Sequence, residues 1–234
     1  MIEQSEEIIV VTGASGALGE AVVEHLLSTN RRVVGWDLES PGGGLLVPGE
    51  KSGLSRQKVD VTDANAVEKA VNQVEADLGA ISAMIHLAGG FRWSMIDEID
   101  VEDIDFLVDV NLRSGLYIAR SVMKRFKARG KGRLVLISSR STLAPGAGEG
   151  AYAATKAGLN ALITSLAAEV KDIDVTVNGL QPSIINTAAN REAMPEADFS
   201  TWVPRSHLAK IIAFLLSEEG ASISGATLVV SGRT

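Results

Sequence analysis

Tyr152 and Lys156 stand four residues apart in a stretch, 151–171, that reads as helix, so both side chains fall on one face of it. A phenol with a pKa of about 10 is a poor proton carrier at neutral pH, but a neighbouring ammonium stabilises the phenolate. Such a pair suggests proton transfer to or from an oxygen. Alone it is a common coincidence, and it gains weight from a second signal far upstream, the run Thr12-Gly13-Ala14-Ser15-Gly16-Ala17-Leu18-Gly19. That run follows an apolar strand and leads directly into an amphipathic helix. Glycine is required where a turn takes positive φ, where backbone approaches a pyrophosphate, and where helix packs closely on strand. A dinucleotide with a transferable hydride would supply what the tyrosine lacks.

Asp37, at the end of the second strand, falls where dinucleotide sites place an acid for the adenosine ribose. Its carboxylate accepts hydrogen bonds from a 2′-hydroxyl and repels a 2′-phosphate, so NAD(H) is expected to be preferred, with NADP(H) as the alternative. Arg31 and Arg32 are expected near the opposite end of that strand.

The elements that must position these groups alternate in kind. Apolar, β-branched runs at 8–12, 32–36, 81–88, 133–138 and 174–180, and a last one at 226–231, are separated by helical patterns at about 18–26, 64–78, 102–127, 151–171 and 207–217. This rhythm predicts an α/β, single-domain Rossmann fold over residues 1–234, with a doubly wound parallel sheet of about seven strands. The glycine-rich stretch 41–44 reads as a flexible surface loop. Residues 183–205, with two prolines and little periodicity, read as a substrate-binding lid.

Composition narrows the function classes. A net charge of −7 without any long basic block argues against nucleic acid and anionic membranes as partners. The absence of cysteine excludes disulfides and thiolate chemistry and suits a cytoplasmic setting. His25, His86 and His207 lack metal-ligand spacing, so no metal site is expected and each reads as packed or solvent-facing. The acidic start and the lack of a long apolar run lead us to expect a protein neither exported nor embedded in a membrane.

From 8 to 232 the sequence resembles the short-chain dehydrogenase/reductase family. Its glycine motif matches Thr12 to Gly19, and its Tyr-x-x-x-Lys matches Tyr152 and Lys156. Thirteen residues before the tyrosine, Ser139 takes the place of the catalytic serine, with Ser138 and Ser141 as neighbouring alternatives, and Asn111 resembles the helix asparagine. The resemblance implies that Ser139 holds the substrate oxygen and Tyr152 moves the proton. Lys156 would bind the nicotinamide ribose, and Asn111 would support a water relay. It implies further cofactor contacts at Asp60 and Val61, at Ala88 and Gly89, and at Pro182, Ile185 and Thr187. It also implies a homo-oligomer, a dimer or tetramer, built on the helices at 102–127 and 151–171.

Two positions depart from the family pattern: His86-Leu87-Ala88-Gly89 replaces Asn-Asn-Ala-Gly, removing amides that brace the sheet, and Pro182-Ser183 replaces Pro-Gly. Ala88-Gly89-Gly90-Phe91 and the stretch from Asn190 to Trp202 are similar to dihydropteridine reductase, which makes a pterin reductase the alternative to a carbonyl or alcohol oxidoreductase. A cofactor-binding regulator without turnover is the reading from another class. Phe91 and Trp93 after the apolar run at 81–88, with Met194, Phe199 and Trp202 in the lid, are expected to frame the substrate pocket and to favour a cyclic or aromatic small molecule.

Overall fold

The computed structural model describes residues 7–40, 47–48 and 53–234, so the glycine-rich stretch 41–44 lies outside the described residues. The chain begins with β1 (Ile8–Thr12), whose five residues are all buried, as a strand covered on both faces must be. Then follow α1 (Ala17–Ser28), β2 (Arg32–Asp37), β3 (Val47–Pro48), β4 (Leu54–Lys58), α2 (Ala64–Asp77) and β5 (Ile81–His86). The expected helix at 102–127 is α3 (Val101–Leu107) and α4 (Ser114–Arg129), joined by a π-helical turn at Val108–Arg113. After it come β6 (Lys131–Ile137), α5 (Gly150–Glu169) and β7 (Asp174–Pro182). The chain continues through β8 (Ile185–Asn186), α6 (Ala188–Ala193), β9 (Val203–Pro204), α7 (Arg205–Leu216) and β10 (Thr227–Val230).

The main sheet runs β3-β4-β2-β1-β5-β6-β7-β10. Every pairing in it is parallel except the short β3 against β4. Alternation along the strands divides the core into two. Ile8 and Val10 face α2, α4 and α5 with Ile118, Phe126 and Ile163, while Ile9 and Val11 face α1 and α7 with Val22, Leu26, Leu208 and Ile212. Strand order reverses between β1 and β5, which opens the crevice at their carboxyl ends where α/β sheets bind ligands.

Two expectations need correction. The segment 183–205 is not structureless: β8 and β9 pair in parallel, and α6 and a short 3-10 turn at Phe199–Thr201 lie between them. Side chains hold it instead of an apolar period. Thr187 Oγ1 caps α6, Asn190 Nδ2 donates to Ile185 O at 2.8 Å, and Arg191 Nε donates to Asn186 Oδ1 at 2.7 Å. The second correction is the π turn, where one extra residue per turn interrupts a helix expected to be continuous.

Candidate active site

Strand β1 delivers the glycine turn to the crevice. Gly13 takes φ +65°, and a Cβ built there would come within 3.0 Å of Ala88 N; at Gly19 it would stand 2.1 Å from Gly13 O. Only glycine permits both approaches. Gly16 stands at the N-cap of α1 and offers no side chain to cap it, so the first amides of a twelve-residue helix are left for an external acceptor. Ser15 and Gly16 are exposed at that mouth, while Ala17 and Leu18 begin the helix itself. Asp37 closes over the turn, accepting from Ser15 N at 2.9 Å and from Leu38 N at 2.8 Å.

Asp60 is exposed and bonded locally to Thr62, with Val61 buried beside it. Arg205 escaped the sequence reading: from the start of α7 its guanidinium donates to Ala17 O at 2.9 Å, which puts a cation at the first turn of α1. These backbone donors, the Cβ-free turn and the nearby cation fit the pyrophosphate of a dinucleotide.

The candidate proton-moving groups converge from the end of β6, from α5 and from the π turn. Ser139, two residues beyond β6, is extended and held by a saturated hub. Thr142 Oγ1 donates to Ser139 O at 2.9 Å and accepts from Gln181 Nε2 at 2.7 Å and Asn160 Nδ2 at 3.0 Å. Sequence reasoning did not find these three supports. Of the adjacent serines, Ser138 is buried and donates to Lys156 O, and Ser141 N donates to Ser139 Oγ, whereas the Ser139 hydroxyl is the one that acts on the Tyr152 phenol and lowers its pKa.

The lysine was expected to hold the tyrosine acidic, but burial dominates here. Desolvation pushes the Tyr152 phenol up, the Ser139 hydroxyl pulls it back in part, and the Glu149 carboxylate pushes it up again. Tyr152 thus rests protonated, as a donor. Lys156 is fully buried; its Nζ donates to Ile137 O at 2.9 Å, and desolvation pulls the ammonium down to about 8.

Asn111 sits in the π turn with no exposed surface and clamps Gly90 from both sides, Oδ1 accepting from its N at 3.0 Å and Nδ2 donating to its O at 2.8 Å. A Cβ at Gly89 would lie 2.9 Å from Asn111 Oδ1 and 3.1 Å from Lys156 Nζ, so this glycine lets the two groups approach one strip of backbone. Gly89 and Ala88 therefore join the constellation.

The departures from the family pattern are accommodated locally. The amides removed at 86 are replaced by an imidazole that still braces the sheet: His86 bonds Thr12 Oγ1 at 2.8 Å and Ser114 Oγ at 3.0 Å. Ser183, following Pro182, donates to Ser231 O and accepts from Thr234 Oγ1, which ties β7 to the end of the chain.

The aromatic residues divide. Phe91 meets Tyr152 edge to face with ring centroids 5.0 Å apart. Trp93, 61% exposed, donates to Ala147 O at 2.9 Å and lies against Gly148. Trp202 is only 3% exposed and packs on Phe199 at 4.8 Å within 183–205, so it forms no open wall; Met194 is half-buried at the end of α6. Ile185 and Thr187 belong to the same segment, in β8 and at the cap of α6.

Clefts of about 550 and 400 Å³ lie at the opposite, amino-terminal end of the strands, and none of the residues above lines them. Among the described residues no group of three or more His, Asp or Glu is placed to hold a metal ion, and no helix is long and apolar enough to cross a membrane.

Residues 7–198 match the model of the short chain dehydrogenases. The chain is 30% identical to the 3-oxoacyl-[acyl-carrier-protein] reductase FabG of Escherichia coli over 97% of its length and 96% of that protein's. It is 28% identical to the D-threitol dehydrogenase of Mycolicibacterium smegmatis, covering 97% and 92% of the two chains. Among solved structures, ElxO with NADP bound superposes with a TM-score of 0.87 at 20% identity, over 97% of this chain and 98% of the other. A short-chain dehydrogenase/reductase from Serratia marcescens gives 0.80 at 24%, over 98% and 97%. With the family's model spanning most of its length and a relative 30% identical over nearly all of both chains, this chain belongs to the short-chain dehydrogenases, a family of oxidoreductases.

Proposed function

We propose that this oxidoreductase reduces a carbonyl, or oxidises the matching alcohol, on an apolar substrate with a flat ring, using NAD(H). The observation that carries the reading is the meeting of Ser139 and Tyr152 beside a buried Lys156, across the crevice from an uncapped helix N-terminus. A bound nicotinamide supplies or accepts the hydride. In the direction of reduction the Ser139 hydroxyl orients the substrate oxygen and the protonated phenol of Tyr152 gives its proton to that oxygen. Lys156, desolvated but cationic below pH of about 8, favours negative charge on the phenol as the proton leaves.

The NAD(H) preference rests on the Asp37 carboxylate closing over the glycine turn; the NADP bound by ElxO belongs to that protein. Phe91, Trp93, Met95 and Ile96 expose an apolar surface after β5, and this supports a ring-bearing substrate. The same surface suits an apolar acyl chain, so 3-oxoacyl reduction, as in the relative from Escherichia coli, is the second reading. A quinonoid dihydropterin is the third substrate to offer. The reading also carries a homo-oligomer, dimer or tetramer, built on α4 and α5; Leu116 on α4 is exposed.

NADH consumption against a panel of ring-bearing ketones, short aliphatic ketones, 3-oxoacyl thioesters and quinonoid dihydropterin tests the proposal. Tyr152→Phe should lower turnover of the best substrate by roughly 10²- to 10⁴-fold with dinucleotide affinity retained. Full turnover in that variant would remove Tyr152 as the donor.

A further inference from the structure

His86 is the last residue of β5 and pairs in register with Thr12, the last residue of β1, at the point where strand order reverses. Its neighbours fix its protons. Ser114 Oγ lies 2.6 Å from Val110 O, a carbonyl that can only accept, so the single hydroxyl proton of Ser114 is committed there. Ser114 Oγ must then accept from His86, 3.0 Å away, and Nε2 carries hydrogen. On the other side Thr12 Oγ1 accepts from Leu87 N and Ala88 N, both at 3.2 Å, which leaves its own proton to donate to Nδ1 at 2.8 Å. Nδ1 is therefore bare. Burial, aided by the Lys156 ammonium, drives the imidazole down to about 3, in keeping with a neutral ring.

This ordered chain ends on Val110, the residue before Asn111 in the π turn, and Asn111 clamps Gly90. We propose that His86 is a positioning residue: as the neutral Nε2-protonated tautomer it transmits the placement of the glycine turn through Ser114 to the π turn, and so sets where Asn111 holds the Gly89–Gly90 strip against Lys156. The claim deepens the functional reading above and rests on it for its kinetic consequence.

The test begins without substitution. With only three histidines in the chain, 15N-histidine labelling of the intact protein separates the tautomers. One ring should show a protonated Nε2 and a bare Nδ1, unchanged from about pH 5 to pH 8; a buried ring with hydrogen on Nδ1 overturns the proposal. His86→Gln puts an amide donor near the place of Nε2–H, whereas His86→Asn reaches only as far as Nδ1, and Ser114→Ala removes the link beyond the ring.

Turnover should fall roughly 10-fold in His86→Asn and Ser114→Ala and stay within about 3-fold in His86→Gln, as expected when reacting groups are displaced by a fraction of an ångström. Dinucleotide affinity should change little in all three. Equal turnover in His86→Asn and His86→Gln, or loss that tracks dinucleotide affinity, overturns it. Were the wild-type protein to reduce no carbonyl at all, the functional reading would fall alone. The strut would then be judged by the Gly90 amide and Asn111 side-chain signals, which must shift in Ser114→Ala and whose constancy would overturn it.

Discussion

Replacing Lys156 with methionine should make the protein more stable while abolishing its proposed chemistry. The lysine is 4% exposed and has one partner for its ammonium, Ile137 O. Burial lowers its pKa from 10.5 to about 8. At about 1.4 kcal/mol for each tenfold change in proton affinity, holding that charge inside the fold costs roughly 3 kcal/mol at neutral pH. Methionine matches the stem's flexibility and removes the charge, at a loss of about 1 kcal/mol for the hydrogen bond and the orphaned carbonyl. The net gain is roughly 2 kcal/mol, or about 4–8 °C in Tm for a chain of this size.

The pH dependence identifies the cause. Between about pH 8 and pH 10.5 the unfolded lysine holds a proton that the folded one has released, so wild-type stability rises with pH across that interval and the advantage of the variant shrinks. Tyr152 acts in the opposite direction, its raised pKa making the folded state lose stability only above the ordinary phenol value of 10.0. The clean window is therefore about pH 8 to 10. Urea midpoints of both proteins, measured without cofactor at one protein concentration from pH 7 to 10, give the difference. A gap that is constant over this range, or a variant less stable at pH 7, would refute the reasoning.

Asp37→Ser removes the carboxylate over the glycine turn; kcat/KM for NADH should fall by roughly 10- to 100-fold with that for NADPH maintained or improved, and a wild-type protein that already favours NADPH would contradict the assignment. Glu149→Gln takes away a charge that raises the Tyr152 pKa. Reduction needs the protonated phenol, so the alkaline limb of the pH–rate profile should move to lower pH, and an upward move would assign that limb to another group. Trp202→Ala should cost about 3–5 kcal/mol of lid packing, seen as faster proteolysis within 183–205 and an equal loss of kcat/KM for every substrate. A loss confined to ring-bearing substrates would instead put the indole on the pocket wall.

The parts of the fold that were legible in the sequence are those where both faces of an element are buried. Ile8–Thr12 or the apolar run in Ile81–His86 admits few other readings. Leu54–Lys58 escaped notice because it lies toward the sheet's edge and is covered incompletely, so Ser55, Arg56 and Lys58 hide its character. The order within 183–205 escaped because it comes from single side-chain bonds at Thr187, Asn190 and Arg191, which leave no period to detect.

At the site, the residue types of Tyr152, Lys156 and the glycine run announce themselves, whereas their environment does not. No spacing shows that desolvation dominates at Tyr152, or that Thr142, Asn160 and Gln181 support Ser139 from three elements. His86 read only as packed or solvent-facing because its partners, Thr12 and Ser114, are separated from it by 74 and 28 positions.

The π turn at Val108–Arg113 has a consequence for how the chain tolerates changes in length. It takes up one residue more than an α-helical turn would, and α4 beyond it still presents Ile118, Val122 and Phe126 to the core. Elsewhere in a packed helix, removing one residue turns everything downstream by about 100° and exposes the buried face. Here a single deletion can be absorbed by closing the turn to an ordinary one, so that α4 keeps its phase while the Asn111 side chain loses the bulge that offers it to Gly90. Within these six residues, loss of one position would separate folding from catalysis more cleanly than most substitutions do.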